Sequence, residues 1–436
     1  MKNKRILTLV TSLIILLCIC TSSLFSLSSC GNGNDAYVVS ATVNDAGELV
    51  LIYSDGRSDT LVLSGGDTSV TISGSATNVA AATTAGLSSA VSIAANFTKT
   101  VQNNFGGLFP GFGSGGSYTT EYSSFGSGVI YKLDDSGEAM IITNYHVVYD
   151  SASNTKNGIS DDISVFLYGS ESSESAISAE YVGGSLYYDI AVLHVKSDLL
   201  KRASVKAAAI SDIPVSVGTT AIAVGNPEAS GISATLGIVS VDSEYITMTA
   251  ANGQTTVSAR VIRIDTAVNS GNSGGGLYND KGELIGIVNA KISTTDVENI
   301  AFAIPASIAT AVADNIIDNC FGKDNETVLR ATLGVTLSAS EARAVYNSET
   351  GLLEIKETVK VAEITPATAA AGILAVGDIL LEAKIGDKSV SITRQHTLID
   401  LMLCARAGDT LSIKVLRDGK EKTIEIKIDD SGFVKY

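Results

Sequence analysis

Basic residues are in short supply: 30 Lys and Arg stand against 46 Asp and Glu, a formal net charge of −16. A surface this acidic repels phosphate backbones, which argues against nucleic acid as a partner and suits a protein kept soluble outside the cell. Cysteine is equally sparse. Of the five, Cys18 and Cys20 lie in an apolar N-terminal run and Cys30 follows it, so only Cys320 and Cys404 remain for a folded core. One distant pair is no disulfide framework, and the absence of CxxC or Cys/His clusters leaves no metal site; no cofactor is expected. Histidine occurs three times, at His146, His194 and His396. Tryptophan is absent and proline occurs five times, whereas glycine, at 41, is frequent.

What is present points to a mainly β protein. Apolar residues make up 45 % of 436, enough for buried cores in two or three domains. Runs rich in Val, Ile and Thr, separated by Gly, Asn and Asp, outnumber helical patterns. Lys2, Lys4 and Arg5 precede an almost wholly apolar Ile6–Cys20, the layout of an export signal. Leu27-Ser28-Ser29-Cys30 resembles a bacterial lipobox. Residues 1–29 then read as a lipoprotein signal peptide and Cys30 as the lipidation site, anchoring the chain to a membrane. A plain signal peptide or an uncleaved anchor are the alternatives. Residues 30–85 read as a tether with a small β unit (Tyr37–Val43, Leu49–Tyr53, Thr60–Leu63) and a Ser/Gly/Thr/Ala linker. Short strands fill 86–305 in two lobes. Ala306–Cys320 has helical periodicity after Pro305 and reads as a linker helix within 306–330. A last domain spans 331–430.

Three local patterns carry chemistry. Thr143-Asn144-Tyr145-His146-Val147-Val148 places a histidine after an apolar strand, and Asp189-Ile190-Ala191-Val192-Leu193 opens a buried strand with an aspartate. Asn269-Ser270-Gly271-Asn272-Ser273-Gly274-Gly275 holds a serine in a Gly-rich turn. A serine hydroxyl needs a base to take its proton, and the imidazole that does so needs a carboxylate on its other nitrogen. Glycines beside the serine let backbone N–H groups converge on a developing oxyanion. His146, Asp189 and Ser273 are therefore the candidate catalytic residues, with Gly271 and Ser273 supplying the oxyanion hole. Each pattern alone has a bland reading as turn or strand end; together, in one chain with three histidines, they point to acyl transfer. His194 reads as a structural strand histidine and His396 as a surface one.

These motifs resemble those of the HtrA/Deg serine proteases, as do Gly126-Ser127-Gly128, Gly225-Asn226-Pro227, Gly282–Ile287 and Phe302-Ala303-Ile304-Pro305. The resemblance implies a trypsin-like double β-barrel protease domain over 86–305. Ser270 and Gly276 stand where the family usually has proline, and Tyr145 where it has asparagine, departures that flank the three residues without replacing them. Ala267 takes the place of the S1 pocket floor, implying cleavage after small or medium apolar residues rather than Lys or Arg. Pro366-Ala367-Thr368-Ala369-Ala370-Ala371-Gly372 through Gly377-Asp378-Ile379-Leu380 resembles a bacterial PDZ domain. Leu333-Gly334-Val335 resembles its loop for a peptide's terminal carboxylate. The family further implies ATP-independent cleavage of unfolded or mislocalised envelope proteins. It also implies a homotrimer held by aromatics, for which Phe105, Phe109 and Phe112 are candidates; these could equally gate the active site. A peptide-binding, chaperone-like scaffold with a latent triad is the alternative function, and a structural surface lipoprotein a weaker third.

Overall fold

The computed structural model describes residues 38–43, 49–53, 58–62, 71–72, 79–102, 117–170, 172–290, 300–323, 328–348 and 351–435. The expectations for residues 1–29, Cys30, Phe105, Phe109 and Phe112 lie outside them. The chain divides into two compact units, Met1–Ala76 and Thr77–Tyr436. The first holds an antiparallel sheet in the order β1–β2–β3–β4, formed by Val38–Val43, Leu49–Tyr53, Ser58–Val62 and Thr71–Ile72.

The second unit opens with a helix, α1 (Val79–Ser89), where a linker to residue 85 was expected. Alanine is the strongest helix former, and small side chains let this helix lie close to its neighbours. Ala82 is buried, and a Cβ on Gly86 would sit 3.0 Å from the Tyr278 ring and from Val224. A linker and a helix made of small residues share a composition, which is why the reading failed.

Two closed barrels follow, as expected. The first comprises β5 (Ala90–Gln102), β6 (Ser117–Leu133), β7 (Glu138–Thr143), β8 (Asp162–Leu167), β9 (Ile177–Ser185) and β10 (Ile190–Lys196), with the four-residue helix α2 (Tyr145–Val148) after β7. It closes in the order β10–β7–β6–β5–β8–β9 around Ile93, Ile141, Leu193 and Val165. The second comprises β11 (Thr220–Gly225), β12 (Ser233–Thr249), β13 (Thr256–Ile264), β14 (Gly276–Tyr278), β15 (Leu284–Asn289) and β16 (Ala301–Pro305), closing as β11–β12–β13–β16–β15–β14. Its β12 is a single long strand whose register shifts between Val239 and Glu244.

The expected helix is present as α3 (Ala306–Cys320), and it packs on strands of both barrels. Ile308, Val312 and Ile316, one face at a four-residue spacing, are buried in the largest core cluster beside Val182, Val192 and Ile287. Burying such a side chain contributes roughly 1.5–3 kcal/mol, so the helix ties the barrels together. The last domain runs from β17 (Leu329–Ala331) through β18 (Val335–Tyr346), β19 (Leu353–Ile364), β20 (Ile379–Ile385), β21 (Lys388–Ser391), α4 (Gln395–Met402), β22 (Thr410–Arg417) and β23 (Lys420–Lys427) to β24 (Phe433–Lys435). Because β24 pairs with β17, the domain extends past residue 430.

Helix α4 also meets the second barrel. Asp400 pairs with Arg260 of β13, and Arg394 Nη1 bonds Asp242 Oδ2 of β12 at 2.9 Å. His396 Nδ1 lies 3.4 Å from Ser243 Oγ, so it is half-buried at a junction rather than on open surface. Burial, then the charges of Arg260 and Arg394, push its pKa down from 6.5 to about 3. Among the described residues no helix is long and apolar enough to cross a membrane, and no group of side chains could hold a metal ion. Cys320 is buried and Cys404 partly exposed, and no disulfide joins them.

Candidate active site

The three predicted side chains come from different strand ends. Strands β7 and β10 are antiparallel neighbours with Thr143 opposite Ala191. The residues just after β7 and just before β10 therefore emerge at the same end of the first barrel. His146 sits on α2 and Asp189 immediately precedes β10. His146 Nδ1 lies 2.7 Å from Asp189 Oδ2, and the His146 backbone N–H donates to Asp189 Oδ1 at 3.0 Å. Both carboxylate oxygens thus hold the histidine. An imidazole so fixed is oriented for its Nε2 to accept a proton.

Asp189 adopts φ +53°, a left-handed conformation that costs a non-glycine residue roughly 1–2 kcal/mol. Its carbonyl is pinned by Asn144 Nδ2 at 2.9 Å and the Tyr145 N–H at 3.2 Å. Its side chain takes a further bond from Asn289 Nδ2 at 2.8 Å. Asn289 is 1 % exposed and comes from the end of β15 in the other barrel. Asn144 and Asn289 were not anticipated as site residues. The available signal for Asn289 was a polar residue closing the otherwise apolar strand Leu284–Val288.

Ser273 lies in the turn between β13 and β14 and is 5 % exposed. Its Oγ accepts from the Ala290 N–H at 3.1 Å, and no hydrogen bond joins it to His146 among the described residues. The turn around it is fixed carbonyl by carbonyl. Ser270 C=O accepts from Glu228 N at 2.8 Å, Asn272 C=O from Gly275 N at 3.0 Å and Ser273 C=O from Ser127 N at 2.8 Å. Gly271 C=O accepts from Ser127 Oγ at 2.7 Å. In a trans peptide the N–H points opposite to the carbonyl before it, so these bonds also set the directions of the Gly271 and Ser273 N–H groups. Neither of those two N–H groups has a partner among the described residues. Gly271, at φ +95°, is where a side chain is excluded outright: its Cβ would lie 2.2 Å from Asn226 O. Two buried donors flanking a hydroxyl can stabilise a negative oxygen formed there.

Elsewhere, Ala267 is exposed on the loop after β13, its carbonyl accepting from Thr235 Oγ1 at 2.8 Å. His194 lies on β10 away from this cluster, Nε2 3.0 Å from Glu138 Oε1. Leu333 and Gly334 lead into Val335 at the start of β18, with Leu333 buried and Gly334 at φ +70°.

The chain matches two family models: a trypsin-like peptidase domain over residues 126–287 and a PDZ domain over 331–428. It is 33 % identical over 345 residues to a serine protease Do-like HtrA of Lactococcus lactis subsp. cremoris, covering 76 % of this chain and 77 % of that one. To the protein of the same description in Bacillus subtilis it is 34 % identical over 330 residues, covering 73 % and 67 %. A probable periplasmic serine endoprotease, DegP-like, of Pseudomonas fulva is 30 % identical over 316 residues, covering 72 % and 57 %. Among solved structures, an HtrA-type protease AlgW with decapeptide is 27 % identical over 81 % of this chain and 98 % of that one, with a TM-score of 0.47.

Proposed function

The chain is a serine endopeptidase of the HtrA/Deg family, and from that premise we propose that His146, Asp189 and Ser273 cleave unfolded or mislocalised envelope proteins without ATP. The observation that carries the residue assignment is the joint hold of Asp189 on His146 through both carboxylate oxygens, with Asn289 bonding Asp189 and the next residue, Ala290, bonding Ser273 Oγ. Ser273 attacks the scissile carbonyl and His146 takes its proton. The N–H groups of Gly271 and Ser273 receive the oxyanion, and His146 returns the proton to the leaving amine. Hydrolysis of the acyl-enzyme repeats the sequence with water. Ala267, small and uncharged, fits small or medium apolar residues before the cleaved bond.

The PDZ domain captures peptide C-termini in this reading. Strand β18 is the outer strand of its sheet, the place where a peptide can add as a further strand. Leu333, Gly334 and Val335 then receive the terminal carboxylate. An extracytoplasmic location accords with the periplasmic description of the Pseudomonas fulva relative. Lipidation of Cys30 would hold the protein at the membrane, and a homotrimer accords with the family pattern. Casein degradation by the wild type and by Ser273→Ala tests the enzyme reading: the substitution should abolish it, and equal proteolysis by both, or none by either, would reject the assignment.

A further inference from the structure

The Ser127 hydroxyl belongs to the first barrel, yet its partners all belong to the second. It donates to Gly271 C=O at 2.7 Å and accepts from Asn226 N at 2.8 Å, while its own N–H donates to Ser273 C=O at 2.8 Å. Ser127 is 0 % exposed, so water cannot replace these bonds. Its backbone is anchored in turn, Thr143 Oγ1 donating to Ser127 C=O at 2.7 Å. The loop it reaches through Asn226 carries Glu228, whose N–H pins Ser270 C=O at 2.8 Å. Glu228 itself adopts φ +54°, a conformation that persists only where surroundings impose it. One hydroxyl therefore joins the loop that orients the Ser270–Gly271 peptide to the turn that carries the nucleophile.

We infer that Ser127 is a positioning residue for the oxyanion site of the Gly271 and Ser273 N–H groups: its hydroxyl holds the Gly271–Asn272 peptide between them and, through the Asn226–Glu228 loop, the Gly271 N–H. The inference rests on the reading of Ser273 as nucleophile and of those N–H groups as oxyanion donors. Without the hydroxyl, the Asn226 N–H and Gly271 C=O become buried and unpaired, which favours turning of the adjoining peptide units toward other partners. The substrate still binds through its side chains, but the donors meet the oxyanion less often. The loss then falls on the chemical step rather than on binding.

The test uses the full chain with a fluorogenic peptide carrying Val before the cleaved bond, and a peptide boronate whose tetrahedral adduct needs the same two donors. Ser127→Ala should lower kcat about tenfold or more with KM within about twofold, less than the 10²–10³ of losing a donor outright. Boronate affinity should fall in parallel. Ser127→Cys, isosteric with a weaker donor, should recover part of kcat, and melting curves for both variants check that the compared material is folded. A wild-type kcat in folded Ser127→Ala, a loss confined to KM, or Ser127→Cys no better than Ser127→Ala would overturn the inference. If Ser127→Ala does not fold, the Ser127→Cys kcat and boronate affinity decide it alone, unchanged values rejecting it. Failure of the underlying reading looks different: the wild type itself would neither cleave the peptide nor bind the boronate.

Discussion

The cleft between the barrels and the junction between barrel and PDZ helix are both buried and polar, yet they satisfy their polar groups differently. In the cleft, the acceptors that shape the site are held, while Asn144 Oδ1 and the Gly271 and Ser273 N–H groups have no partner among the described residues. Both oxygens of Asp189 and its carbonyl are engaged, and each carbonyl from Ser270 to Ser273 has its donor. At the junction, charges crowd instead. Arg260 and Arg394 meet Asp242, Glu357 and Asp400, while the Nε atoms of both arginines lack hydrogen-bond partners among the described residues. Burial pushes the Asp400 pKa up in spite of Arg260, so the cost of desolvating the carboxylate outweighs the attraction of its partner. A network whose acceptors are individually held fixes one geometry, whereas a crowded one holds two surfaces together conditionally. The cleft should thus lose chemistry when altered, and the junction should lose stability.

Asp189→Asn is the strongest way to break that contrast. It preserves volume but removes the charge that steadies an imidazolium, and it fixes the wrong tautomer through the 2.7 Å bond to His146 Nδ1. We expect kcat to fall about 10⁴-fold, the scale known for such a change in a triad, with a melting temperature within a few degrees of wild type. A fall of less than tenfold in a steady-state assay would remove Asp189 from the mechanism.

Asp400→Ala comes next and acts on the other side. It strands Arg260, whose side chain is 7 % exposed, as an uncompensated buried cation, which costs about 3–5 kcal/mol. Denaturant unfolding should register that loss. Replacing both partners by apolar residues, Arg260→Met with Asp400→Leu, should recover most of it, because neither charge then has to be desolvated. A single variant as stable as wild type would show that the junction contributes nothing to folding.

The same contrast explains how much could be read in advance. Motif residues such as His146, Asp189 and Ser273 carry chemistry that dictates their type and local spacing, so they stood out, and with them the double barrel and the PDZ domain. Asn289 and the Ser127 hydroxyl act through contacts with residues 100 and 144 positions away; a polar end to an apolar strand and a Gly-Ser-Gly motif mark their places without saying what they touch. Helix α1 was hidden for a different reason: its alanines and threonines form no apolar stripe, and only the fit of Gly86 against Tyr278 reveals the burial. His396 reads as a surface residue because nothing near it in sequence reveals the second contact face of α4. The helix buries one face in its own domain, through Leu398, Leu401 and Met402, and turns His396 and Asp400, four residues apart, toward the barrel.

The smallest expected effect concerns that histidine and is read as a pH dependence. Unfolded, His396 titrates near 6.5; in the junction its pKa is pushed down to about 3, by burial first and then by Arg260 and Arg394. A lowered folded pKa means that the unfolded state binds the proton more readily. The stability due to a neutral His396 is complete above about pH 6.5 and is lost as pH falls from there toward 3. The other groups at the junction are Asp242, Ser243 and Arg260 of the barrel, with Glu357, Arg394 and Asp400 of the PDZ domain. Of these, Asp400 works in the opposite sense, since its raised pKa favours proton uptake in the folded state. The informative quantity is therefore the difference between wild type and His396→Gln, which leaves Asp400 in place. The melting temperature of the wild type should drop by a few degrees more than that of the variant between pH 7 and pH 5. Parallel curves over that interval would mean that His396 is free to take up a proton without disturbing the junction.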